Sequence, residues 1–543
     1  MLSLAEQSGL TIHAIDLVII ILYLVAITVI GLFAARKDVD NSQGYFLASR
    51  SLRWPVIGMA LFATNISTVH LVGLAADGYR VGLVIGNFEW MAAFCLVLLG
   101  LVFAPFYFRS NVTTLPDYLE KRYNRASRTV LAIMAVIGAL FIHIGMSLYA
   151  GAAIFKQFFG INVYWSILII SAVTAIYTVL GGLKAVVVTE SIQTVLLLLG
   201  AVGVTVFGII ALQNNGIESW DAFQSVVKEK QLSMLHADGD LSWYAVMLGY
   251  PVLGIWYWCA DQTIVQRVLG AATEKDAQAG PIFAGFIKVL PVFLMVFPGV
   301  MAYVLFRDKI GDDSNLALPV LINELIPTGF KGMIAAGLLA ALMSTIAGAL
   351  NSTATLVSLD VVKRLRPNTP DHRLITIGRL TACIVMVLAM AWSTQGDKFE
   401  SIFTGLNAMI ACLAPPITTV FIWGVFWSRG TEQASLTTLI LGSILGAITF
   451  ALDFPLFGET QIVTKEWGIP FMMQAWWLFV ICSVIFVIVS MVTPAPRREQ
   501  IEGLCWQNPI RAIVQQQWSG LTDARVLAAA LVVVMVLLYT TFA

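Results

Sequence analysis

Apolar runs long enough to cross a lipid bilayer recur along this entire 543-residue chain. A spanning helix needs roughly 20 apolar residues, and about fourteen such runs can be marked. They lie near 15–36, 53–76, 82–108, 128–156, 162–181, 186–212, 243–266, 281–306, 332–362, 374–395, 402–428, 433–453, 473–493 and 525–543. Hydrophobic residues make up 59% of the chain, charged residues only 12%, and the mean hydropathy is +0.85. A soluble domain carries about 25% charge, so the bilayer is the natural solvent here. No connector is long enough for an independent soluble domain, so 1–543 reads as one all-α polytopic membrane domain. The first run continues into Arg36 and Lys37 without a basic leader, as expected of a retained helix rather than a cleaved signal.

The basic residues set the orientation. Odd-numbered connectors hold 21 of them and even-numbered connectors 9. The positive-inside rule makes the odd connectors cytoplasmic and puts both termini outside, in a plasma (inner) membrane. Net charge is zero, which gives no support to nucleic-acid binding. The six cysteines are scattered without a Cys-x-x-Cys pair and read as small buried hydrophobes. No nucleophile–base pair or metal cluster is spaced for catalysis, so a membrane enzyme is not expected.

Polar residues inside spans are costly and mark ligand or ion paths. The second span places Thr64, Asn65, Ser67, Thr68 and His70 within seven positions. These side chains either bond between helices or mark a break that frees carbonyl oxygens toward a cavity. The seventh span carries Pro251 and Gly254 as helix breakers, followed by Trp256-Tyr257-Trp258-Cys259-Ala260-Asp261-Gln262. Interrupted helices five spans apart point to an inverted-repeat transporter. Ser344 and Thr345 of the ninth span offer hydroxyl oxygens that, with freed carbonyls, suit a hard cation such as sodium. Glu89 is either an interfacial acid or an acceptor for a polar ligand. Lys288 either snorkels to the cytoplasmic edge or faces a ligand.

Asn65-Ile66-Ser67, Gly86-Asn87-Phe88-Glu89-Trp90, Trp256 through Arg267, Phe286-Ile287-Lys288, Asn351-Ser352-Thr353-Ala354-Thr355 and Leu180-Gly181-Gly182-Leu183-Lys184-Ala185 follow one another in order. Together they resemble the solute:sodium symporter family, and specifically its sodium/glucose cotransporter branch. The likeness runs from about residue 12 to 430. It implies a LeuT-like 5+5 inverted-repeat core: one extra helix at 15–36, a first five-helix repeat at 53–212, a second at 243–428 and three further helices within 433–543. It implies Na+ as the coupling ion and no organic cofactor.

The same resemblance implies site residues. Sodium falls on Ala63, Ile66, Ala341, Ser344 and Thr345, with Glu190 on the sodium exit path. Where some members bind a second sodium, this chain has Ala347 and Gly348, which implies one sodium per substrate. Sugar contacts fall on Asn65, His70, Glu89, Tyr257, Trp258, Lys288 and Asn407. His70 is either such a contact or a satisfied buried histidine. Leu74, Phe88 and Phe403 match an outer gate and Tyr257 an inner one. Asn407 replaces a longer Gln of the branch, and Gly254 and Ala92 replace polar side chains, which makes a roomier pocket. The expected function is sodium-coupled import of a sugar or sugar-like polyol. A uronic or organic acid, an inositol or an amino acid is the alternative solute.

Overall fold

The computed structural model describes residues 13–36, 40–394, 402–453, 461–506 and 520–543. Among them every extended element is helical, and the only β pairings are isolated bridges, Leu52 with Ala271 and His236 with Ser242. Among the described residues eleven helices are long and apolar enough to cross a membrane, or twelve where the bent pair Trp54–Asn65 and Thr68–Val81 is counted as one span. The chain is a multi-pass membrane protein.

Ten helices frame the site. They are α1 (Ala14–Ala35), α2 (Trp54–Asn65), α3 (Thr68–Val81), α4 (Asn87–Leu98), α5 (Val163–Asn214), α6 (Trp243–Ile255), α7 (Gln262–Leu269), α8 (Glu274–Ile287), α9 (Phe330–Thr355) and α10 (Ile402–Phe426). The span containing α9 is 94% buried over its most apolar stretch, against 17% for α1. So α9 is the central post, and α1 lies at the lipid-facing rim, exposing Ile15, Leu17, Val18 and Leu22. Helix α5 packs along both α9 and α2, and α8 along α2.

Helices α2 and α3 are the two halves of the second span, bent by 63°. Ile66 and Ser67 between them are extended, with ψ of 101° and 174°. The break expected near Asn65 is therefore present. The seventh span differs from expectation. Pro251 and Gly254 both lie inside α6, and the interruption comes later. A π-helical turn, Trp256–Ala260, ends at Asp261, which is extended at ψ 123°. Asp261 turns its own carboxylate onto the Thr263 amide at 2.8 Å. This cap starts α7 afresh and fixes the break at that point. The expected spans 162–181 and 186–212 follow one another as the two arms of α5, which meet at a kink on one non-helical residue, Gly182, at φ 62°. Its ideal Cβ would lie 2.5 Å from the Tyr45 carbonyl oxygen, so only glycine fits.

The extra first helix is fastened to the central post. Asp16 is fully buried and accepts from the Gly329 amide at 2.7 Å and the Gly332 amide at 2.8 Å. These are orphan donors at the start of α9, where a carboxylate is favoured. Asp16→Ala is expected to cost about 2 kcal/mol, since bonds to charged groups contribute roughly 1.5–3 kcal/mol each and partial relaxation recovers some. A lowered thermal-unfolding midpoint in detergent checks it.

Candidate functional site

The α2–α3 break exposes peptide oxygens because the next amides turn elsewhere. The Ser67 amide, which would close the helix onto Ala63, points to His70 Nδ1 at 3.3 Å instead. That bond makes Nδ1 an acceptor. The oxygens released by the break meet α9. Ser344 Oγ shares its one hydrogen between the carbonyls of Ala63 at 2.7 Å and Ala341 at 2.9 Å. Thr345 Oγ1 shares its one hydrogen between the Thr64 carbonyl at 2.9 Å and the more distant Ala341 carbonyl at 3.3 Å. Ile66 stands in the break, fully buried, with its amide on Phe62. Four of the five residues expected to hold sodium thus meet through hydrogen bonds, and every acceptor and hydroxyl atom they bring together is an oxygen. Such a set suits a hard monovalent cation rather than a soft metal.

A cavity opens directly beside these oxygens, and Thr345 forms part of its wall. Asn65, His70, Glu89, Tyr257, Trp258 and Asn407 line it, as does Phe88. Six of the seven residues expected to touch substrate therefore share one wall. Lys288, the seventh, stands one layer behind. It is 1% exposed and does not snorkel. Its ammonium bonds Glu89 Oε2 at 2.5 Å and also Asn65 Oδ1. The Trp258 ring centroid lies 5.6 Å from the ammonium and that of Phe62 5.8 Å. Lys288 thus sets the pose of two wall residues. Leu74 is fully buried. Phe403 falls within α10, and its side chain lies outside the described residues.

Glu190 of α5 is buried and forms an ion pair with Arg267 of α7. Arg267 Nε reaches Glu190 Oε2 at 2.9 Å, and Thr64 Oγ1 donates to Oε1 at 2.9 Å. The residue expected on the exit path is therefore tied to the α2 break and to α7 at once.

Sequence reasoning missed three polar wall residues: His143, Ser147 and Tyr250. His143 lies in a π-helical stretch, Ala139–Gly145, and bonds Asp261 at 2.6 Å. The Tyr250 hydroxyl donates to the Phe88 carbonyl at 2.8 Å. A signal for the first two was present. A histidine and a serine four residues apart in an apolar run share one helix face, and polar groups at that depth face the interior.

A model of the sodium:solute symporter family matches residues 45–442. Sodium/glucose cotransporter 1 of Ovis aries is 32% identical over 91% of this chain and 81% of its own length. The sodium/mannose cotransporter SLC5A10 of Bos taurus is 34% identical, covering 92% and 90%. The sodium/myo-inositol cotransporter of Homo sapiens is 32% identical, covering 93% and 77%. Among solved structures, a Na+-coupled sialic acid symporter in a substrate-bound outward-open state superposes with TM-score 0.77. Its sequence identity is 20%, and the match covers 90% of this chain and 99% of that one. The likeness shows that the two share a fold. The chain belongs to the sodium:solute symporter family.

Proposed function

We propose that this protein is a sodium-coupled symporter that imports a neutral hydroxylated solute, a hexose or an inositol, with one sodium per substrate. The observation that carries the reading is the apposition of freed α2 oxygens with the Ser344 and Thr345 hydroxyls, directly against the solute cavity. Ala63, Ile66, Ala341, Ser344 and Thr345 would hold the ion. Asn65, His70, Glu89, Tyr257, Trp258 and Asn407 would hold the solute, with His143 and Ser147 opposite, while Phe88, Leu74, Phe403 and Tyr257 would close over it. The Tyr257 and Trp258 rings offer flat faces to a sugar ring, and the amide and carboxylate groups match hydroxyl donors and acceptors.

Neutrality is favoured over an acid. Lys288 is neutralised by Glu89, and His143 faces Asp261, so among the described residues neither is left as a free cation for a carboxylate. The glucose, mannose and myo-inositol relatives agree with a polyol.

The architecture fits a LeuT-like 5+5 core. Counting α2–α3 as one span, α5 as two divided at Gly182, and α6 through α7 as one brings the eleven apolar helices to the expected fourteen. The repeats are then 53–212 and 243–428, with both termini outside. One inward charge at −100 mV contributes about 2.3 kcal/mol, and a tenfold sodium gradient roughly 1.4 kcal/mol. Together they sustain roughly several-hundred-fold accumulation.

Thermal shift and vesicle uptake with hexoses, inositols and uronic acids, in sodium and in potassium buffer, test the reading. Sodium-dependent stabilisation and accumulation of a neutral polyol is the expected result. Equal accumulation in potassium-only buffer would refute sodium coupling, and a uronate preference would refute the neutral-solute assignment.

A further inference from the structure

An unbroken series of hydrogen bonds joins the solute cavity to the hydroxyls beside it, and it takes an indirect route through α7. His143 lines the cavity, and its Nε2 lies 2.6 Å from Asp261 Oδ2. The other oxygen of Asp261 accepts from the Thr263 amide at 2.8 Å. The Thr263 carbonyl accepts from Arg267 Nη1. Arg267 Nε donates to Glu190 Oε2 at 2.9 Å, and the Thr64 hydroxyl shares its single hydrogen between Glu190 Oε1 at 2.9 Å and the Ala60 carbonyl at 2.8 Å. The Thr64 carbonyl then accepts from Thr345 Oγ1 at 2.9 Å. No residue in the series is more than 6% exposed.

Stability does not account for this arrangement. A buried ion pair is often no better than well-packed apolar side chains, and ionised groups at membrane depth are expensive. The surroundings nevertheless leave room for it. An ideal Cβ at Gly348 would lie 2.5 Å from Arg267 Nη2 and 3.4 Å from Glu190 Oε1. Glycine at that position of α9 is what lets the guanidinium reach the carboxylate.

We propose that this series carries sodium occupancy to the solute cavity, with Asp261 and Arg267 as positioning residues that set how strongly sodium tightens solute binding. The proposal rests on the symport reading above. An ion drawing on the Thr345 oxygen and the Ala63 carbonyl shifts α2 against α9 at Thr64. Thr64 passes the shift to Glu190 and Arg267. Helix α7, cut from α6 at Asp261, is the moving part, and His143 is its contact with the solute.

The test is the ratio of solute affinities in sodium and in potassium, measured on the purified full chain with glucose, mannose and myo-inositol as probes. Allosteric couplings typically span roughly 5–150-fold, and the wild type is expected within that range. Gly348→Ala, which removes no polar group, and Asp261→Asn should each bring the ratio toward one, while sodium affinity without solute stays near the wild-type value. The double variant should be no worse than the poorer single one, because two cuts in one series are not additive. A merely structural role would lower affinity equally in both buffers and leave the ratio unmoved. An unchanged ratio in both single variants, or fully additive losses, overturns the relay while leaving symport intact. No sodium effect on any probe in the wild type overturns the symport reading itself, and the relay with it. If Asp261→Asn does not fold, Gly348→Ala decides alone.

Discussion

Sodium-dependent uptake by the Ser344→Ala/Thr345→Ala variant is expected to fall by about 10²-fold or more, the equivalent of at least ~3 kcal/mol from two ligands at roughly 1.5–3 kcal/mol each. The two hydroxyls do more than offer oxygens to the proposed ion. They are the direct bonds from α9 to the carbonyls of Ala63 and Thr64. Removing them withdraws two of the proposed ion ligands and leaves two buried carbonyls short of a donor. Ser344→Thr/Thr345→Ser, which keeps both oxygens, should retain most of the activity. Uptake in proteoliposomes against a sodium gradient is the measurement. Full activity in the alanine variant would move the ion away from α9.

The α2 break was legible because polar residues crowded where hydrocarbon belongs. Five in seven positions leave a helix no way to hide them all. Ser344 and Thr345 were legible as a pair of oxygens, although a hydroxyl pair alone more often bonds its own helix. Both in fact also bond Ala341. What local pattern did not carry was pairing between distant segments. Pro251 and Gly254 gave the stronger breaker signal, yet α6 runs through both. The break at Asp261 depends on a cap within α7 and on His143, 118 positions away in sequence. The depth of Lys288 was readable as well. Its partners, 199 and 223 positions away, were not, and those partners hold it behind the wall. The two arms of α5 were legible as separate spans, but the way they join was not, because the kink at Gly182 is set by contact with Tyr45.

Lys288→Ala is expected to be the most damaging single change at the cavity, because it leaves the Glu89 carboxylate buried without a cation. Breaking a buried pair by removing one partner costs roughly 3–5 kcal/mol. Glu89 is 1% exposed, so water relieves little of that. Solute affinity should drop by about 10²-fold, the equivalent of ~2.7 kcal/mol, as Glu89 and Asn65 lose the ammonium that sets their pose. Sodium affinity without solute should hold, since no atom of Lys288 bonds the Ser344 and Thr345 cluster. Lys288→Met/Glu89→Gln separates the two effects. Neutralising both partners should recover thermal stability, as apolar or neutral replacement of buried pairs often does, but should not recover solute affinity. Calorimetric titration of the solute together with unfolding midpoints reads both quantities. If Lys288→Ala binds solute as tightly as the wild type, the Glu89–Asn65 pose is not what the cavity uses to hold its cargo.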